Sequence, residues 1–85
     1  MRTIITKYLG DTSQIEASDC DGNSIKIYYP HTSRKPHLEA VRHLFSKMGW
    51  APCQVVEGRL GQAKYAWTVI DEDYTFNVEI GRAHV

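Results

Sequence analysis

Eighty-five residues with 42% hydrophobic and 24% charged side chains have the composition of one globular domain, too short for two and too apolar for a disordered linker. Ten basic side chains balance ten acidic ones; this removes the strong field of a dedicated duplex-DNA binder, weakening a nucleic-acid role, and argues against the acidic surplus of a DNA mimic. No apolar run approaches the ~20 residues of a membrane span, and Met1-Arg2 leads into a strand pattern rather than a signal core, so a cytoplasmic protein with no membrane association is expected.

Arg2 to Leu9 is rich in β-branched and aromatic residues and ends at the turn residues Gly10 to Ser13, which predicts a first strand. Ile15 and Ala17 alternate with Gln14, Glu16 and Ser18 in a short half-buried second strand. Asp21-Gly22-Asn23 then suits a tight reversal, giving a hairpin whose second arm, Ser24 to Tyr29, carries Ile25, Ile27 and Tyr29 on one face and Lys26 and Tyr28 on the other.

The spacing predicts a helix over about Arg34 to Met48, with Ser33 as N-cap, Pro36 in the first turn and Gly49 as the stop. Leu38, Ala40, Val41, Leu44, Phe45 and Met48 form one apolar stripe, while Lys35, Glu39, Arg42, His43 and Ser46 face water, with Lys35 and Glu39 spaced to pair. Three more strands are expected, Cys53 to Glu57, Ala63 to Ile70 and Tyr74 to Ile80, the last two joined by the acidic loop Asp71 to Asp73. The fold class is therefore α+β, an antiparallel sheet of five to six strands in the order βββαβββ with one helix on one face. Residues 1–80 form one domain, and 81–85 continue no pattern, as a frayed tail or an expression scar would.

Few motifs carry chemistry. Asp19 to Asn23 invites a calcium-loop reading, but counting from Asp19 puts Gly22 at the fourth position and Pro30 where a bidentate glutamate belongs, so a plain hairpin turn is expected. Gly58-Arg59-Leu60-Gly61 matches the Gly-x-x-Gly backbone clamp of KH domains, yet its flanks read as strands, and a hairpin loop is the favoured reading. Cys20 and Cys53 are too few for a disulfide framework and read as free thiols, Cys53 buried. No two of the histidines and cysteines stand at Cys-x-x-Cys or His-x-x-x-His spacing, so no metal or cofactor is expected. His37 falls inside the helix's apolar stripe and reads as a core histidine bonded to backbone, against a ligand or a pH-sensitive contact. No nucleophile neighbours a base in sequence, which points away from an enzyme.

Two surfaces are candidates for contact. Arg34, Lys35, Arg42 and Lys47 along the helix, with Arg59 and Lys64 around the next hairpin, would form a modest basic strip for phosphates or an acidic protein. Tyr28, beside Lys26, would leave an aromatic ring on an open sheet surface.

Thr6-Lys7-Tyr8-Leu9-Gly10, Ile15-x-Ala17-Ser18, Gly22-Asn23-Ser24-Ile25, Tyr29, and His37-x-x-Ala40 with Leu44 and Lys47-Met48-Gly49-Trp50 together form a recognisable pattern. Over about residues 3–67 it resembles a group of small uncharacterised bacterial proteins found on phages, plasmids and other mobile elements. The group carries no activity to transfer. Its members often have Arg-Ile-Lys-Ala where this chain has Gln14-Ile15-Glu16-Ala17, so two basic positions are lost, and they tend to end soon after the strand containing Tyr65. What the resemblance implies is a non-enzymatic accessory protein of a mobile element that acts by binding a protein partner, with inhibitors of host defence systems as one such class. The alternative is a small nucleic-acid-binding regulator using the basic strip on the helix, and a homodimer joined edge to edge through the last strand is a third arrangement that near-zero net charge favours.

Overall fold

The computed structural model describes residues 2–70. Its elements are β1 (Thr3–Leu9), β2 (Gln14–Ser18), β3 (Ser24–Tyr28), α1 (Pro36–Met48), β4 (Val55–Gly61) and β5 (Lys64–Val69). The strands form one antiparallel sheet in the order β3-β2-β1-β5-β4. The α+β class holds, with five strands and the order βββαββ over these residues. The strand expected at Tyr74 to Ile80, the acidic loop before it and the tail at 81–85 lie outside the described residues.

The three-stranded meander forms where local turn chemistry dictates it. Gly22 reverses the chain at a φ of 88°, a conformation open to glycine. Around it the Asp19 carboxylate accepts hydrogen bonds from the Asp21 and Asn23 amides and the Asn23 side chain, all at 2.9 Å. The Asn23 side-chain bond, with the backbone bonds behind it, holds the Asp19 carboxyl below its ordinary range. Both carboxylate oxygens are thus committed to the turn, which is the hairpin that the sequence favoured over a cation loop.

The helix begins later than expected, at Pro36 with Lys35 as N-cap, and no side chain caps it. Proline disfavours helical angles at the residue before it, so Lys35 adopts φ −131° and ψ 72° and the helix cannot start at Arg34. The Ser33 hydroxyl instead accepts the Lys35 amide at 3.2 Å in a local turn. The other end matches the expectation closely. Gly49 takes the left-handed conformation, its amide reaches the Ser46 carbonyl, and the Trp50 amide reaches the Phe45 carbonyl at 3.0 Å. Those two bonds define a Schellman stop, sealed by the Phe45 and Trp50 rings packed edge to face at 5.2 Å. The Arg2 guanidinium then stacks over the Trp50 ring at 3.6 Å.

The helix start is fixed at the middle of β1, His37 beside Thr6, and the helix end just ahead of that strand, Trp50 beside Arg2, so α1 runs antiparallel to it. It packs over β2, β3 and β1. Ala40, Val41 and Leu44 meet Ile4, Ile15, Ala17 and Trp67 in a small core, with Ile25, Ile27, Leu38, Phe45 and Met48 packed around it. Every apolar helix position predicted from the stripe is buried or packed against this core.

Further along the chain the sequence reading needs three corrections. Gly58 to Gly61 belongs to β4 rather than to a loop; the strand bulges between Arg59 and Gly61, and the reversal is at Gln62-Ala63. Almost every β4 residue is exposed, so the strand shows no inside–outside alternation that would reveal its continuation past Glu57. Cys53 is exposed because β4 starts only at Val55, leaving it in the segment ahead of the strand; both cysteines are free thiols. Lys35 and Glu39 do not pair with each other: Lys35 reaches Glu57 at 3.6 Å and Glu39 takes Arg42 at 2.6 Å. Having left the helix before its first turn, Lys35 points across to β4 instead of down the helix.

No helix among the described residues is long and apolar enough to cross a membrane.

Candidate functional site

Strand register divides the side chains between two faces. Ile4, Thr6 and Tyr8 of β1 share the helix side with Ile15, Ala17, Ile25, Ile27, Tyr65 and Trp67. On this side Thr6 is the one fully buried polar residue among the described residues. The Trp67 indole nitrogen donates to its hydroxyl oxygen at 2.9 Å, and His37 Nδ1 lies 2.8 Å from the same oxygen. The indole N–H can only donate, and among the described residues His37 Nδ1 is the one hydrogen-bond partner that can accept the Thr6 proton, which makes the imidazole an acceptor there and places its own proton on Nε2. Burial pushes the His37 pKa down, with the Glu57 carboxylate opposing. His37 is therefore a satisfied histidine held by a side chain on β1 and not, as expected, by backbone.

Around the exposed part of that ring lies an open groove of about 470 Å³ lined by Tyr8, Tyr29, His31, Ala63 and Tyr65. Its rings pack largely edge to face: Tyr8 on Tyr29 at 5.5 Å, His37 on Tyr65 at 4.6 Å. No carboxylate, lysine or thiol lines it, so its polar groups are tyrosine hydroxyls and histidine rings. No group of three or more His, Cys, Asp or Glu side chains among the described residues is arranged to hold a metal ion.

The predicted basic strip is dispersed in three dimensions. Lys35 and Arg42 are in the ion pairs described above. Lys47 donates to the Ser24 carbonyl at 2.8 Å, and the Arg59 guanidinium donates to the Gly61 carbonyl at 3.2 Å. Arg34 is exposed beside the helix start. Arg59 and Lys64 point to opposite faces, because Arg59 is paired with Tyr65 on the helix side while Lys64 is paired with Lys7 on the other.

That other face carries a row of charged side chains. No described element covers it. Register places Lys26, Glu16, Lys7 and Lys64 in one row across β3, β2, β1 and β5. The next row holds Tyr28, Gln14 and Leu9, with the Tyr28 ring 79% exposed as the sequence predicted. On the other side of the charged row come the small side chains Ser24, Ser18, Ala66 and Gly58, with Ile5 between them. Both ion pairs among the described residues, Lys35–Glu57 and Arg42–Glu39, lie on the helix side; the lysine row has none. Sequence reasoning anticipated Tyr28, Lys26 and Glu16 on faces turned from the core but missed Lys7, whose alternation with Thr6 and Tyr8 places it there.

No family model, curated protein or solved structure matches the chain, so no relative's activity bears on these surfaces.

Proposed function

We propose that this chain is a non-enzymatic protein-binding module, an accessory protein of a mobile element whose partner docks on the face of the sheet that no described element covers. The mobile-element setting and its extension to an inhibitor of a host defence system rest on the sequence resemblance alone. The observation that carries the binding reading is the asymmetry of the sheet: both ion pairs among the described residues lie on the helix side, while on the open side a row of three lysines and one glutamate lies beside an exposed tyrosine. An exposed tyrosine is a residue type enriched where proteins meet, and the charged row beside it would set orientation and specificity more than affinity. The row of small side chains lets a partner approach the sheet closely.

The rival reading, a nucleic-acid regulator using the helix strip, has less to stand on. Two of its four helix-side cations are paired with carboxylates and a third, still charged, is held by a carbonyl, so half of the strip's positive charge is already offset before a phosphate arrives. Affinity capture with the purified chain, with and without nuclease, tests the choice: one stoichiometric protein retained after nuclease is the expected result, and recovery abolished by nuclease would contradict it.

A further inference from the structure

We propose, building on the protein-binding reading, that the partner presents a patch of acidic side chains interrupted by a basic one, matched to the Lys26-Glu16-Lys7-Lys64 row.

Two features of that row specify the chemistry. Lys7 and Lys64 are directly opposite each other on neighbouring strands, both exposed. Like charges at such positions destabilise a sheet, and neither is within ion-pair distance of a described carboxylate, so the pair is a ready receptor for an external anion. Glu16 sits between Lys26 and Lys7, opposite both. A continuous phosphate backbone laid along the row would bring its charge against that glutamate, whereas a protein surface places a basic side chain there and acids on either side. The row therefore has the sign pattern of a protein epitope and not of a polyanion. Tyr28 and Leu9 in the next row add ring and apolar area at its edge.

The test uses two probes of equal negative charge, a synthetic peptide with glutamates on either side of an arginine and an oligo-dT strand, titrated at low salt into the isotopically labelled full chain. The expected result is that the peptide shifts the amide signals of Lys7, Glu16, Lys26, Tyr28 and Lys64, and that oligo-dT binds more weakly. Lys64→Glu is expected to weaken the peptide by about tenfold, while Arg42→Glu on the helix changes it by less than about twofold. Glu16→Lys makes the row continuously positive and should reverse the preference in favour of oligo-dT. Tighter binding of oligo-dT by the unaltered chain, shifts confined to the helix side, or no shifts with either probe would each overturn the proposal. A chain that fails here yet captures one protein after nuclease would keep the binding reading and lose only this assignment of its face.

Discussion

Thr6 Oγ1 lies 2.8 Å from His37 Nδ1 and joins the central strand to the first turn of the helix through side chains 31 positions apart. Because the same oxygen also receives the Trp67 indole proton, one hydroxyl fixes the tautomer of the histidine and satisfies a buried indole. It ties β1, β5 and α1 together at a single atom.

Replacing that hydroxyl with a methyl group leaves the shape almost unchanged and orphans two partners. Thr6→Val should therefore destabilise the chain by about 1–3 kcal/mol, the usual cost of a buried polar group left without its bond. Urea unfolding followed by tryptophan fluorescence measures it directly.

Acid should act through the same bond. Protonated His37 must donate from Nδ1, and the Thr6 proton would then need another acceptor inside the core. The folded-state pKa is held below the ordinary value of 6.5. The unfolded chain therefore takes up the proton first as pH falls, and this contribution to stability is complete above pH 6.5 and lost between 6.5 and the folded-state pKa. His37→Gln should flatten that part of the stability–pH curve relative to the unaltered chain, and an unchanged curve would contradict the assignment.

The Lys7 and Lys64 pair gives a prediction in which stability and binding move apart. Lys64→Glu converts a like-charge pair into an opposite-charge one and should raise stability by about 0.2–1 kcal/mol, while removing a cation from the docking row. A thermal melt separates this from misfolding, since the variant should melt at or above the temperature of the unaltered chain.

Ala63 turns the β4–β5 hairpin at a φ of 57°, in the left-handed region where a Cβ is strained. Ala63→Gly should relieve that strain and stabilise by about 0.5–1 kcal/mol net of the glycine's greater entropy in the unfolded chain. Its carbonyl accepts the Tyr8 amide at 3.0 Å, so the hairpin should keep its place against β1, which an unchanged amide spectrum at Tyr8 would show.

The elements that could be read from the sequence are those whose signals are local. Gly22 and Gly49 mark positive-φ positions, the Ile15/Ala17 and Ile25/Ile27 alternations mark faces, and the helix stripe has the period of its own backbone. Failures came where a neighbour or a distant strand decides. Pro36 moved the helix start by constraining Lys35, and the bounds of β4, expected at Cys53 to Glu57 and found at Val55–Gly61, were misplaced because an exposed edge strand has no buried face to alternate. The candidate site was legible only in part. Tyr28 and Lys26 follow from alternation, but the facing of Lys7 and Lys64 depends on the β1–β5 pairing, and the Thr6, His37 and Trp67 cluster depends on packing across 31 and 61 positions. Nothing in a linear pattern encodes those partners.

The most direct test of the central claim is a parallel capture from nuclease-treated lysate with three baits, the unaltered chain, Lys64→Glu on the open face and Arg42→Glu on the helix. The prediction is one stoichiometric protein held by the first and third baits and lost or strongly reduced with the second. Equal recovery with all three baits, loss with the helix variant alone, or no protein retained by the unaltered chain would contradict it.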